Sequence, residues 1–234
     1  MKTIITYLIA LILFASCDQK EHPIIHVSVL ADKTDTLISH PELETIKHFF
    51  NEKENPYSKF SFKYLTIGNT DYFKGYCLEV EASSMFENTL QRKSTIQKFY
   101  KAIDTLLVTE SKKQFDFQHS SILTPLIEEL NRLSKDTTGK RIVLLYSDLS
   151  EASLIYNVYA NQNKNSFYEI ETVSKKIKGH FEIQDLTDID LYVLYYPKTT
   201  AENKLFRNLC KIYEEIFKEF GLSIHIGIDK QLTP

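Results

Sequence analysis

The stretch that decides the fold is IIHVSVLA at residues 24–31, which Asp32 ends. It is apolar and rich in β-branched residues, so it predicts a buried strand. The stretch RIVLLY at residues 141–146 is continuously apolar, and LYVLYY at residues 191–196 is a third stretch of this kind. Such continuous apolar runs are typical of parallel strands that helices cover on both faces.

The segments between these strands carry hairpin and helix patterns. Residues 59–67 and 72–80 alternate in period two, and turn-forming residues 68–71 join them, which predicts a β-hairpin. A last strand is predicted over 222–228, and Ser39 and Glu42 have the spacing of a capping box at the start of the first predicted helix. Helices are predicted over 39–55, 84–110, 124–133, 154–159, 167–178 and 201–220. This order predicts an α/β sandwich of three layers, with a mostly parallel sheet and one antiparallel edge strand.

Composition excludes several classes of protein. The chain has 234 residues, of which 43% are hydrophobic and 25% charged, and a net charge of −3. These values fit one globular domain, and the balanced charge predicts no nucleic-acid partner. Three cysteines are too few for a disulfide scaffold. Cys77 and Cys210 are predicted to be small buried hydrophobic side chains, with a disulfide between them as the alternative.

The N-terminus has the pattern of a secretion signal. Lys2 precedes an apolar run at residues 4–14, which is too short for the roughly 20 residues that span a bilayer. The small residues before Cys17 resemble the lipobox of bacterial lipoproteins, which implies cleavage before Cys17 and lipidation of that residue. We therefore expect a signal peptide at 1–16, a lipidated tether at 17–23 and one domain at 24–234. An ordinary cleaved signal and a buried N-terminal helix are the alternatives.

Polar side chains follow the predicted strands at the positions where ligands bind in open α/β sheets. Asp32, Thr34 and Thr36 come directly after the first strand. Thr124 opens a predicted helix, and Asp148 comes directly after RIVLLY. Each has a purely structural alternative, because Asp and Thr often cap helices, and Thr124 before Pro125 has the pattern of an N-cap followed by proline.

Together these residues resemble the von Willebrand factor A (VWA) domain family over roughly residues 24–228. That family has a six-stranded sheet of order 3-2-1-4-5-6 and a metal-ion-dependent adhesion site formed by D-x-S-x-S, a distant Thr and a distant Asp. Asp32, Thr34 and Thr36 match the first motif with Thr replacing both Ser, and Thr124 and Asp148 match the distant positions. Leu149 replaces the Gly that often follows the last Asp.

The resemblance implies a site for Mg²⁺ or Mn²⁺, in which a carboxylate from a partner protein completes the metal's ligands. Mg²⁺ prefers six oxygen ligands and retains water, so few direct carboxylates leave it able to bind such a partner. We therefore expect a lipid-anchored, noncatalytic binding protein of the bacterial cell envelope, facing the periplasm or the cell surface, without a small-molecule substrate. Tyr156 and Tyr159, near this end, are candidates for either the core or a contact rim, as are Phe167 and Tyr168.

Two alternatives follow from the same residues. One is a metal-free structural component of an envelope assembly that keeps only the fold. The other is a phosphohydrolase, because residues 32–37 resemble the nucleophile loop of the haloacid dehalogenase family, with Ser147 as a phosphate ligand and Asp185 or Asp188 as metal ligands. Thr34 stands where that family has its general acid and cannot donate the proton.

Overall fold

The computed structural model describes residues 22–34, 38–68, 75–84, 87–113, 119–161 and 170–227. The strands are β1 (Ile24–Asp32), β2 (Lys59–Ile67), β3 (Gly75–Val80), β4 (Lys140–Tyr146), β5 (Ile189–Leu194) and β6 (Ser223–Gly227). The α-helices are α1 (Leu43–Phe50), α2 (Thr89–Ser111), α3 (Leu123–Leu133), α4 (Val158–Asn161), α5 (Ile170–Lys178) and α6 (Thr200–Phe217), and a 3-10 turn (Lys218–Phe220) follows α6.

The strands form one six-stranded sheet in the order β3-β2-β1-β4-β5-β6. All neighbours are parallel except β2 and β3, which are antiparallel. The predicted α/β class, strand order, hairpin and antiparallel edge strand are therefore confirmed. β1 and β4 lie at the centre of the sheet, and nearly every residue of both is buried.

Helices cover both faces of the sheet, as the continuous apolar strands require. On one face, Phe50 of α1 packs against Phe60 of β2 and Phe99 of α2, with ring centroids 4.9 and 5.5 Å away. On the other face, Glu129 of α3 accepts a hydrogen bond from Ser28 of β1. Asp32 has the same parity as Ser28 along β1, so its side chain lies on the α3 face.

Two local predictions about helices are wrong. Ser39 and Glu42 form no capping box, because α1 begins at Leu43 with Glu42 as N-cap and no side chain caps it. The helix ends at Phe50, since Asn51 adopts a left-handed conformation with φ of 45°. The short helix predicted over 154–159 forms later in the chain, as α4 at Val158–Asn161.

The two described cysteines lie apart and are both unpaired. Cys210 of α6 is buried, as predicted, but Cys77 is exposed, so the prediction of two buried thiols is wrong for it. Cys77 lies on the edge strand β3, where alternate side chains face solvent. Cys17 and the predicted signal peptide lie outside the described residues. Within the described ranges, no helix is long and apolar enough to cross a membrane.

Candidate functional site

The site is centred on Asp32, at the carboxyl end of β1. Register places Ala31 beside Tyr146 of β4, so the residues that follow these two strands are neighbours. Asp32 is only 3% exposed. Its Oδ1 accepts hydrogen bonds from the backbone N–H of Thr34 at 3.0 Å and from the Thr34 hydroxyl at 2.6 Å. This local turn explains why an Asp-x-Thr sequence ends the strand.

The second oxygen of Asp32 gathers hydroxyls from two other segments. Its Oδ2 accepts hydrogen bonds from Ser147 Oγ at 2.9 Å and Ser120 Oγ at 3.2 Å. Ser147 follows β4, and Ser120 precedes α3. One buried carboxylate therefore joins the loops after β1 and β4 to the segment that opens α3.

The negative charge of Asp32 has no cationic partner among the residues described. Burial raises the pKa of Asp32, and the hydrogen bonds from Thr34, Ser147 and Ser120 offset only part of that rise. The neighbouring Lys33 forms its hydrogen bond with His40 Nδ1, at 3.0 Å. A desolvated carboxylate surrounded by neutral donors is stabilised by any cation that reaches it.

A second buried carboxylate, Glu151, lies beside this cluster. Its Oε2 accepts hydrogen bonds from the backbone N–H groups of Ile122 at 2.7 Å and Leu123 at 2.9 Å, at the start of α3. Ser153 lies near Glu151 and lowers the pKa of its carboxyl group. The other oxygen, Oε1, makes no hydrogen bond with any described residue. Burial raises the pKa of Glu151 despite its hydrogen bonds, and the charge of Asp32 raises it further.

The loop after β4 brings Asp148 to the same end of the sheet. Asp148 Oδ1 accepts a hydrogen bond from the backbone N–H of Ser150 at 2.8 Å. Leu149 adopts φ of 65°, a left-handed conformation that glycine adopts most readily, which accounts for the glycine of the VWA pattern at this position. The backbone N–H of Leu149 donates to Ser147 Oγ, at 3.0 Å, and this holds the turn.

Tyr213 of helix α6 lies near enough to this cluster to interact with its carboxylates. The hydroxyl of Tyr213 is buried and makes no hydrogen bond with a described residue. Burial raises its pKa well above the ordinary value, and the charges of Glu151, Asp148 and Asp32 add to this effect. The cluster is thus acidic, desolvated and lined by hydroxyl groups.

The structure brings only part of the predicted site together. Asp32 and Thr34 are in contact, and Asp148 is adjacent to Ser147, which also contacts Asp32. Thr36 lies outside the described residues. Thr124 lies in the first turn of α3, half-buried, and its hydroxyl makes no hydrogen bond with the part of the chain described.

The prediction of Thr124 as an N-cap is wrong. The helix α3 begins at Leu123, its N-cap position is Ile122, and no side chain of that residue caps it. Glu151 supplies the missing acceptor from 28 residues away along the chain. Sequence reasoning also missed Ser120, because no motif indicates that it contacts Asp32.

The side chains present fit a hard divalent cation in their chemistry. Among the described residues, no three His, Cys, Asp or Glu side chains form a group that could hold a metal ion. The donors near Asp32 are instead hydroxyl oxygens, and a hydroxyl that donates its proton to a carboxylate keeps its lone pairs for a cation. Oxygen ligands of this kind suit Mg²⁺ or Mn²⁺.

The geometry does not support the metal ligands of the phosphohydrolase alternative. Asp185 and Asp188 precede β5, at the amino end of the sheet, whereas Asp32 lies at the carboxyl end of β1. Asp185 is exposed, and its Oδ1 accepts hydrogen bonds from the backbone and hydroxyl of Thr187. A parallel sheet keeps these two ends apart, so neither residue joins Asp32.

Exposed apolar side chains follow β4 and β5. Leu154 is fully exposed, and Tyr159 and Tyr196 are more than half exposed. Tyr156 is buried, so it belongs to the core rather than to a contact rim. Phe167 and Tyr168 lie outside the described residues. A partial apolar rim therefore lies at the same end of the sheet as Asp32.

The fold and geometry define a class of site: an oxygen-lined acidic cluster at the switch point of an open α/β sheet, between β1 and β4. Ligands of many doubly wound proteins bind at this point. Comparison of the chain with models of known protein families gives no match, and comparison with curated proteins gives no similar sequence.

Proposed function

We propose that this chain is a lipid-anchored binding protein of the bacterial cell envelope, and that a divalent cation at the Asp32 cluster links it to an acidic side chain of a partner protein. The observation that carries the proposal is the state of Asp32. Its carboxylate is buried, accepts four hydrogen bonds from neutral groups, and has no cation beside it in the described structure.

The residues that would hold the cation are those of the VWA pattern, with one addition. Asp32 and Asp148 supply the negative charge, and Thr34, Thr36 and Thr124 supply hydroxyl oxygens. Ser120 joins them, because its hydroxyl contacts the same carboxylate oxygen as Ser147. A bound Mg²⁺ or Mn²⁺ supplies a positive centre that accepts one more carboxylate oxygen.

The surroundings of the cluster favour a macromolecular partner. Leu154, Tyr159 and Tyr196 expose apolar surface at this end of the sheet. Aromatic and aliphatic side chains of this kind are common in the core of protein interfaces. Anchoring at Cys17 keeps the domain near the membrane, where a partner in the same envelope is within reach.

A metal-free structural role is the second candidate, and one observation favours it. Each carboxylate oxygen of Asp32 accepts two hydrogen bonds from the protein, so the hydrogen-bond network forms without an ion. In this role Asp32 joins the loops after β1 and β4 to α3 and serves stability alone.

Calorimetric titration of Mg²⁺ and Mn²⁺ into the full-length chain, purified in a mild detergent, separates the two roles. We expect saturable binding by the wild type and none by Asp32→Ala. Asp185→Ala is the matched control, because it removes an exposed carboxylate at the opposite end of the sheet. Absence of heat and of thermal stabilisation at millimolar ion overturns the metal site and favours the structural role.

A further inference from the structure

Strand β6 forms one edge of the sheet. It lies last in the strand order, and in the described structure it pairs only with β5. The segment Ser223–Gly227 contains neither proline nor lysine, two of the residues that commonly block pairing at an edge strand. Ile226 is 46% exposed although it is a large apolar residue. The backbone groups on the outer side of β6 can therefore pair with another extended segment.

A groove lies at the carboxyl end of this edge, between β6 and α6. It has a volume of about 620 Å³, and Ile226 and Gly227 of β6 form one side of it. Phe206 and Cys210 of α6, which are both buried, lie at its floor. The groove thus joins an apolar floor to an open strand edge.

The wall of the groove is positively charged. Lys204, Arg207 and Lys211 line it and are all exposed. They are spaced three and four residues apart, so they lie on one face of α6. Glu214 is the only carboxylate among the described lining residues. None of the three basic side chains forms an ion pair within the part of the chain that the structure describes.

We propose that the β6–α6 groove, formed by β6 and the basic face of α6, binds an acidic peptide segment of a partner protein in extended conformation. The segment pairs with β6 as a seventh strand, and its acidic side chains on the α6 face meet Lys204, Arg207 and Lys211. Backbone pairing provides affinity in this mode of recognition, and the side chains on alternate positions provide specificity.

Charge favours such a peptide over a second copy of the chain. Antiparallel pairing of β6 with β6 of another copy keeps the α6 helices on the same face of the joined sheet. The two basic faces then lie side by side, and like charges in that position repel. An acidic peptide instead neutralises Lys204, Arg207 and Lys211. The groove shares no residue with the Asp32 cluster, so peptide binding needs no divalent cation.

The test uses the full-length chain in a mild detergent and a short fluorescent peptide that alternates glutamate and valine. We expect saturable binding by fluorescence anisotropy, unchanged by EDTA and weakened by salt, because exposed charges are screened. A peptide with lysine in place of glutamate should not bind. Loss of binding in EDTA contradicts the proposal, since it places the peptide at the cation site.

Two further comparisons test the geometry. The double variant Arg207→Glu/Lys211→Glu should weaken binding by about tenfold or more, whereas Lys93→Glu/Lys101→Glu, an equal change of charge on exposed positions of α2, should not. Of two peptides methylated on alternate backbone nitrogens, the one whose methyl groups face β6 should lose binding. Equal binding by both peptides overturns strand addition. A dimer in sedimentation velocity that the peptide does not dissociate overturns the choice of a peptide over a second copy.

Discussion

Two buried carboxylates on the same face of the sheet have opposite surroundings. Glu129 of α3 is 1% exposed and accepts hydrogen bonds from Lys63 Nζ at 2.5 Å, from Arg132 Nη2 at 2.6 Å and from Ser28 Oγ at 2.6 Å. Asp32 is 3% exposed, and all the hydrogen bonds that it accepts from described residues come from neutral groups. Ser28 and Asp32 lie four residues apart on β1, which corresponds to about 13 Å along the strand.

The pKa values of the two carboxyl groups differ in direction for this reason. Burial raises the pKa of Glu129, but Arg132 and Lys63 outweigh it, and the net pKa is lowered. Burial raises the pKa of Asp32, and its hydrogen bonds from hydroxyls and an amide offset only part of that rise. Glu129 therefore has cationic partners within the protein, whereas the described residues place no cation beside Asp32. The comparison shows that the two carboxyl groups differ in the charge of their hydrogen-bond donors, which are cationic at Glu129 and neutral at Asp32.

The largest expected effect comes from making Glu129 resemble Asp32. The double variant Lys63→Met/Arg132→Met removes both cations and leaves the buried carboxylate unpaired. We expect a loss of about 3–5 kcal/mol in the free energy of unfolding, measured by urea denaturation at neutral pH. The loss should shrink as the pH falls below the ordinary Glu pKa of 4.5. Glu129 is then protonated in the unfolded chain, and the stabilisation that its charge gives the wild-type protein is lost as the pH approaches the lowered pKa of the folded state.

The matched control removes a cation from an exposed pair. Lys47 Nζ lies 2.7 Å from Glu44 Oε1 on the surface of α1, and Lys47→Met should cost less than about 0.5 kcal/mol. An equal loss in the two variants contradicts the assignment of Glu129 as a buried ion cluster.

An intermediate effect is expected at Glu151, the carboxylate that caps α3. Glu151→Ala leaves the buried N–H groups of Ile122 and Leu123 without an acceptor, which should cost about 2–4 kcal/mol in urea denaturation. Glu151→Gln keeps an acceptor oxygen and removes a desolvated charge, so we expect a change within about 1 kcal/mol. A large loss in both variants would show that the charge, rather than the capping oxygen, is required.

The smallest effect is expected at Asp136, a partly exposed carboxylate with an imidazole partner. Burial raises the pKa of Asp136, but hydrogen bonds from His26 and from Thr138 outweigh it and lower the pKa to about 2. Its stabilisation is present above the ordinary Asp pKa of 3.8 and is lost as the pH falls towards 2.

Asp136→Asn should therefore lower the melting temperature at pH 5 and have less effect near pH 2. The free energy involved is below about 1 kcal/mol, because the pair is partly exposed to solvent. Thermal melts of the wild type and the variant across this range measure the difference. A gap that widens as the pH falls contradicts the pairing with His26.

Much of the fold was predictable because its signals are local. The runs at residues 24–31 and 141–146 form the two central strands, and the alternating segments around 68–71 form the hairpin. The strand order followed from the VWA resemblance and is confirmed. The errors include the starts of α1 and α3, and at α3 the deciding contact is distant in the chain. Glu151 caps α3 from 28 residues away, and no local pattern predicts that.

The candidate site was predictable only in part for the same reason. Asp32 and Asp148 come at the ends of apolar strands, so their positions in the sequence are enough to predict them as site residues. Ser120 has no motif, and the segment that contains it is brought to Asp32 by backbone contacts such as Ala152 N–H to Ser120 C=O, at 2.7 Å. The sequence indicates a different role for Ser147, as a phosphate ligand of the phosphohydrolase alternative. Tertiary packing decides which side chains join a buried hydrogen-bond network, and local sequence patterns do not show this packing.

The direction of β1 sets how the proposed lipoprotein presents its surfaces. Its nine residues extend about 30 Å from Ile24, next to the proposed tether at 17–23, to Asp32. The proposed lipid at Cys17 would attach to the amino end of this central strand, and the acidic cluster lies at the opposite end. The seven-residue tether adds at most about 25 Å. In the proposed function, the acidic cluster therefore lies at the end of β1 that is away from the lipid anchor.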